Sequence, residues 1–175
     1  MNKSNSNFKY KPEIDGLRAL SVIAVIIYHF NPSSLPGGYL GVDVFFVISG
    51  YLITSLLIKE LEENGNISLS NFYYRRAKRI LPSLILVIFI TSVFSYFIFF
   101  PRELVNYSYS SISSLFFSSN IYFDFIKNDY YATSNNLSPL IHTWSLSIEE
   151  QYYILFPILL LLFFKYISKK LLFYL

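Results

Sequence analysis

The chain has 175 residues, of which 54% are hydrophobic and only 14% are charged, with a formal net charge of +3. Soluble domains average about 25% charged residues, so this composition indicates a membrane protein, and the small net charge gives no indication of a nucleic-acid partner. Cysteine is absent, which excludes disulfides, thiolate nucleophiles and cysteine-ligated metals.

The first third of the chain predicts two membrane spans behind a polar start. Residues 1–13 contain three lysines and are interpreted as a cytoplasmic N-terminal segment. The apolar stretches that follow predict spans over residues 14–31 and 40–59, because about 20 apolar residues cross the hydrocarbon core. Between them "PGGY" is a turn signal. Asp43 is expected to cap the second span, and Ser49 and Gly50 would permit close approach of another helix.

The rest of the chain predicts two further spans and a helix that does not cross. Residues 59–79 are polar and end in the basic cluster "RRAKR", which we interpret as an extramembrane loop. Residues 81–100 carry no charge and predict a third span, with Pro82 near its start. Serines mixed with apolar residues at helical spacing predict an interfacial or re-entrant helix within residues 102–139. A fourth span is predicted over residues 140–164.

The predicted fold is therefore all-α, a polytopic transmembrane helix bundle of about four spans, each of about 20 residues, plus the interfacial or re-entrant helix. Cytoplasmic loops are enriched in Lys and Arg. Four spans place the basic N-terminus, the "RRAKR" cluster and the lysines after residue 164 on the same side, so both termini are expected in the cytoplasm.

Two ionisable residues occupy the first predicted span. Arg18 and His29 are eleven positions apart, which is about three turns plus 20° of an α-helix, so they share one face roughly 16.5 Å apart along the axis. Ionisable residues inside a span are costly and mark functional sites. The alternatives are that Arg18 extends to lipid headgroups and that His29 makes a structural hydrogen bond between helices.

Two adjacent carboxylates occupy the fourth predicted span. Glu149 and Glu150 lie roughly 22–24 Å above Lys165 by helical rise, in the outer half of the bilayer. The sequence thus predicts a basic inner mouth of Arg18 and "RRAKR", suited to phosphate, and an outer pocket of His29 with carboxylates. The alternatives are that "RRAKR" only sets topology and that the glutamates are hydrated at the outer rim. No close spacing of ligands supports a metal site.

Four blocks of the sequence resemble a known family in order and spacing. They are "YKPEIDGLRALSVIAVIIYHF", "PGGYLGVDVFFVISGYLIT", "ISLSNFYYRRAKRILPSL" and "HTWSLSIEEQYYILFP". They resemble the opening half of the membrane acyltransferase-3 family, whose members include bacterial polysaccharide and lipopolysaccharide O-acetyltransferases. The resemblance runs from Tyr10 to about Leu162 and is weakest between Tyr107 and Asn136.

The resemblance implies roles for six residues. It makes Arg18 and His29 the family's arginine-to-histidine motif, with His29 as the catalytic base, and Glu149 a contributor to the catalytic site. It makes Arg76 and Arg79 the Arg-x-x-Arg motif and, with Arg75, the residues that hold the donor. The implied reaction moves an acyl group, usually acetyl, from acyl-CoA on the cytoplasmic side to a hydroxyl of a surface glycan or its lipid-linked precursor. No metal is expected.

The resemblance also implies a longer catalytic unit. Family units comprise about ten spans of about 20 residues each, more than 175 residues contain. We therefore interpret residues 14–175 as the N-terminal part of the transmembrane domain, truncated relative to the family unit, in a bacterial cytoplasmic membrane. A companion chain is expected to supply the missing spans.

Two alternative functions remain open from the sequence. One is an inactive or split-gene fragment of such an enzyme, where the inactive form would be a non-catalytic membrane scaffold left by gene decay. The other is a fragment of a transporter or proton path in which His29 and Glu149 relay charge. Transporters of that kind are built from internal repeats, and no repeat is visible in this sequence.

Overall fold

A computed structural model of the protein describes residues 11–127 and 138–166. Within these ranges the regular structure is entirely helical, which confirms the predicted all-α class. The helices fall into two compact units that divide after Ile67, here called the N-terminal unit and the C-terminal unit. Lysines 3, 9, 169 and 170, which entered the topology prediction, lie outside the described residues.

The N-terminal unit contains two helices joined by a tight turn. Helix α1 spans Pro12–Phe30 and begins with a proline in its first turn, where the missing N–H is not needed. A single 3-10 turn, Gly38–Leu40, leads into α2, Gly41–Asn64. Helix α2 ends at Gly65, whose φ of 68° is the left-handed conformation that glycine adopts without strain.

Two glycines bring this turn against α1. A Cβ on Gly38 would lie 2.4 Å from the carbonyl oxygen of Ala24, and one on Gly41 would lie 2.6 Å from that of Ser21. Only glycine permits such an approach between backbones. Ser49 and Gly50 were expected from the sequence to permit a close helix approach. A Cβ added to Gly50 has no atom within 4 Å, so the expectation was wrong for Gly50.

Asp43 was also placed differently by the structure. The N-cap of α2 is Leu40, which makes no side-chain capping hydrogen bond, and Asp43 follows in the first helical turn. The predicted cap was wrong because the 3-10 turn leads directly into α2 and leaves no extended residue before it. A carboxylate in the first turn still interacts favourably with the helix dipole.

The C-terminal unit begins with a helix longer than the predicted third span. Helix α3 spans Leu69–Ile98, so the "RRAKR" cluster is helical and the loop predicted over residues 59–79 is confined to the few residues after α2. Arg, Lys and Ala are good helix formers, which allows the helix to start before the apolar run. Pro82 consequently lies inside α3 rather than near its start.

Within residues 101–127 and 138–166 this unit contains three more helices. They are α4, Pro101–Leu115, α5, Ser119–Lys127, and α6, Thr143–Tyr166. Helix α4 begins with Pro101, and the side chain of Glu103 accepts a 2.9 Å hydrogen bond from the backbone N–H of Phe100. The region expected to hold one interfacial or re-entrant helix thus holds two short ones. The apolar core of the unit is formed by Leu84, Ile88, Tyr107 and Leu140.

Three of the described helical segments are long and apolar enough to cross a membrane, namely Gly38–Asn64, Leu69–Ile98 and Thr143–Lys165. Their many exposed apolar side chains include Val47, Phe94 and Phe97, as expected of surfaces that face lipid. The protein is a multi-pass membrane protein. Helix α1, which carries Glu13, Asp15 and Arg18 near its start, is not among these segments, and its crossing of the membrane stays a prediction.

Candidate functional site

His29 lies in the last turn of α1 and is held by the backbone of its own helix. Its Nδ1 atom is 2.8 Å from the carbonyl oxygen of Val25, and its ring meets that of Tyr28 edge-on, with centroids 5.5 Å apart. A carbonyl can only accept a hydrogen bond, so Nδ1 carries the hydrogen. In the neutral ring the basic lone pair is therefore on Nε2, on a side chain that is exposed in the structure.

Arg18 lies near the start of the same helix. Its Nη1 atom is 3.9 Å from Oδ1 of Asp15, one turn earlier. At this distance and exposure the pair contributes little stability. The N-terminal unit thus carries the predicted arginine-to-histidine pair on one continuous helix.

Among the predicted donor-binding arginines, Arg76 is the one whose side chain is partly buried in the C-terminal unit. Its guanidinium carbon lies 4.6 Å from the ring centre of Tyr153 on α6 and 5.8 Å from that of Phe72 on α3. Guanidinium groups stack favourably on aromatic faces. The side chain is half-buried, whereas its neighbours Arg75 and Arg79 are exposed, so the basic cluster has one inward and two outward arginines.

The two glutamates of α6 lie near this inward arginine. The hydroxyl of Tyr153 donates a hydrogen bond to Oε1 of Glu149, and both Glu149 and Glu150 interact electrostatically with Arg76. Arg76 and Glu149 thus both contact Tyr153, whereas the sequence analysis expected an arginine mouth separate from a carboxylate pocket. The separation failed because Arg76 lies in the third turn of α3 rather than in a loop.

Glu150 is the functional candidate that the sequence did not single out. The side chain is 7% exposed, and its Oε1 is buried without a hydrogen-bond partner among the described residues. Buried polar atoms are nearly always hydrogen-bonded, so such an atom marks a position with an unusual role. Two adjacent carboxylates on an apolar helix were the available signal, and they did not indicate which one faces inward.

A second polar cluster joins α4, α5 and α6. The hydroxyls of Ser114 and Thr143 lie 2.8 Å apart, that of Thr143 lies 2.9 Å from that of Ser119, and those of Ser119 and Ser147 lie 2.7 Å apart. We call these four residues the hydroxyl chain. Beside it, the side-chain amides of Asn120 and Gln151 hydrogen-bond each other at 2.9 and 3.2 Å.

Metal ligation finds no support in the described residues. No group of three or more His, Asp or Glu side chains that could hold a metal ion occurs within residues 11–127 and 138–166.

Comparison with known proteins assigns the family. The family model Acyl_transf_3, described as an acyltransferase domain, matches residues 11–175. The chain belongs to this acyltransferase family. The match covers both units, including the arginine-to-histidine pair, Arg76 and the two glutamates.

Two of the relatives to which the chain is similar are O-acetyltransferases. The chain is 46% identical over 160 residues to the peptidoglycan O-acetyltransferase OatA of Listeria monocytogenes, covering 91% of this chain and 26% of that protein. It is 45% identical over 152 residues to the O-acetyltransferase OatA of Staphylococcus aureus, covering 87% of this chain and 25% of the relative. The acyltransferase chain thus spans about a quarter of the length of these relatives. No solved structure matches it.

Proposed function

We propose that the chain acts in an integral membrane O-acyltransferase that moves an acetyl group from acetyl-CoA to a hydroxyl of a cell-surface glycan. The proposal rests on the family match over residues 11–175 and on the resemblance to O-acetyltransferases, one of them named for peptidoglycan. A peptidoglycan sugar, or its lipid-linked precursor, is the proposed acceptor. The proposed location is the cytoplasmic membrane of a bacterium, with both termini in the cytoplasm.

The observation that carries this proposal is the hydrogen bond of His29. Because Nδ1 donates to Val25, Nε2 of the neutral ring is the atom that can accept a proton. In the proposed reaction Nε2 takes the proton of the acceptor hydroxyl as its oxygen attacks the thioester carbonyl. The carbon–sulfur bond then breaks, and the leaving thiolate of CoA is protonated by the imidazolium of His29.

The arginines supply the donor side of this proposal. Arg75 and Arg79 are exposed on α3, and guanidinium groups bind phosphate oxygens bidentately. We assign the phosphates of the donor to these two residues. Glu149 is assigned a supporting role through its hydrogen bond with Tyr153. The spans that these residues need around them would come from further sequence or from a companion chain.

The test is replacement of His29 in the product of the complete gene. A positioned general base contributes about 10²–10⁴-fold to a rate, so His29→Gln should lower the transfer of labelled acetyl groups to glycan at least about 100-fold. The measurement uses membranes of cells that express equal amounts of each variant.

His142 provides the matched control. It is the other histidine of the chain and is exposed at the start of α6, so His142→Gln should leave the rate unchanged. A His29→Gln protein with the rate of the unmodified enzyme would remove the assigned base. Absence of transfer by the unmodified protein would remove the proposed function itself.

A further inference from the structure

Arg76 lies over the ring of Tyr153, three residues after Glu150 on α6, and both Arg76 and Glu150 have hydrogen-bonding capacity that no described residue uses. A guanidinium carries five N–H donors, and that of Arg76 is held by the ring faces of Tyr153 and Phe72, with no hydrogen bond to any described residue. Oε1 of Glu150 is a buried hydrogen-bond acceptor that has no partner among the described residues. The two side chains interact electrostatically without an ion pair between them.

The charges around this pair select the chemistry of a ligand. A phosphate near Arg76 would also meet the carboxyl groups of Glu149 and Glu150, which disfavour an anion. A cation near Glu150 would be repelled by the positively charged guanidinium of Arg76. A neutral group that accepts one hydrogen bond and donates another satisfies both sides, and it removes the cost of leaving Oε1 buried and unpaired.

We propose that Arg76 and Glu150 bind a secondary amide of a substrate, whose carbonyl oxygen accepts from the Arg76 guanidinium and whose N–H donates to Oε1 of Glu150. The inference rests on the proposed function, because both proposed substrates carry such amides. Acetyl-CoA has them in its pantetheine arm, and N-acetylated sugars carry them on the ring. Arg76 then differs in role from Arg75 and Arg79, to which the proposed function assigns the donor phosphates.

The experiment measures binding rather than transfer. The probes are S-acetylpantetheine, which carries the amides of the donor without nucleotide, chitobiose, which carries the N-acetyl groups of a sugar, and 3′,5′-ADP, which carries phosphates without an amide. Each is titrated calorimetrically into the complete protein purified in detergent. The variants are Glu150→Met, which keeps the side-chain volume and removes the acceptor, and Arg76→Lys, which keeps the charge and removes the planar fork.

A hydrogen bond to a charged group contributes about 1.5–3 kcal/mol, so each variant should bind one amide probe at least about tenfold more weakly. Its affinity for 3′,5′-ADP should not change. Loss confined to S-acetylpantetheine identifies the donor amide, and loss confined to chitobiose identifies the sugar amide. The control is Glu63→Gln, which replaces an exposed carboxylate paired with Lys59 and should leave the affinity for every probe unchanged.

Three outcomes would overturn the inference. The first is a loss confined to 3′,5′-ADP, which would make Arg76 a phosphate ligand. The second is unchanged affinity for all probes in both variants, provided that the thermal midpoints show folded protein. The third is failure of both amide probes to bind the unmodified protein. Each is separate from the transfer assay, so an active enzyme can contradict the inference and leave the proposed function in place.

Discussion

The hydroxyl chain and the Arg76–Glu150 pair are both polar and both lie inside the C-terminal unit, but they use their hydrogen bonds differently. In the hydroxyl chain every member lies within 2.9 Å of the next, and Ser147 also accepts from the backbone N–H of Ser119. In the pair, the guanidinium rests on aromatic rings and one carboxylate oxygen has no partner among the described residues.

The difference separates a structural role from a ligand-binding role. Fully satisfied polar networks stabilise a unique packing of helices, and serine and threonine at helix contacts in membranes permit close approach as well as hydrogen bonds. An unsatisfied buried group lowers stability and is retained where function requires it. The two clusters should therefore respond to apolar substitution with opposite changes in stability.

The largest expected effect is on the hydroxyl chain. Ser119 is fully buried, so Ser119→Val both removes the hydroxyl that Thr143 and Ser147 contact and adds methyl groups where the packing leaves no room. Together the unpaired hydroxyls and the overpacking should destabilise the protein by about 3 kcal/mol. The measurement is the thermal midpoint in detergent, followed by size-exclusion chromatography.

Ser108→Val is the control for that change. Ser108 lies on the exposed side of α4 and bonds only to the carbonyl of Leu104 in its own helix, so its replacement should cost less than about 1 kcal/mol. Equal destabilisation by both variants would show that the hydroxyl chain contributes no more to stability than an exposed serine does.

The next effect has the opposite sign. Glu150→Met replaces a buried carboxylate, one oxygen of which has no hydrogen-bond partner among the described residues, by an apolar side chain of similar volume, and this removes the cost of burying an unsatisfied polar atom. We expect the thermal midpoint to rise or stay constant while the affinity for an amide probe falls. A clear drop in the midpoint would show that Glu150 stabilises the fold, and the distinction between the two clusters would then fail.

Much of the fold was predictable because it depends on local pattern. The apolar stretches placed the helices at Pro12–Phe30, Gly41–Asn64 and Thr143–Tyr166, each within a few residues of the predicted spans except at the polar end of α2. The start of α3 was missed because the "RRAKR" residues are polar and helix-forming at once. Hydropathy detects only the first property.

The site was less predictable because it depends on contacts between distant residues. The motifs identified Arg76 and Glu149, but their proximity follows from how α3 packs on α6, which no local pattern encodes. Adjacent helical positions differ by about 100° in direction, so the choice between Glu149 and Glu150 requires the rotation of α6. The first half of that helix carries Ser145 and Ser147 as well as the glutamates, on several sides, so its sequence does not show which side is buried.

The smallest expected effect sharpens the comparison at the edge of the hydroxyl chain. Asn120 and Gln151 hydrogen-bond each other, and Gln151 also donates to the carbonyl of Phe117 at 2.8 Å. In a double-mutant cycle with Asn120→Ala and Gln151→Ala, the coupling energy should be about 0.5–1.5 kcal/mol, because both bonds between the amides disappear with either change. Gln151→Ala should be the more destabilising single variant, since it also leaves the Phe117 carbonyl without this donor. If the two changes in thermal midpoint are additive, Asn120 and Gln151 do not stabilise the protein as a pair. Satisfied hydrogen bonds would then not be sufficient to assign a structural role to a polar cluster in this unit.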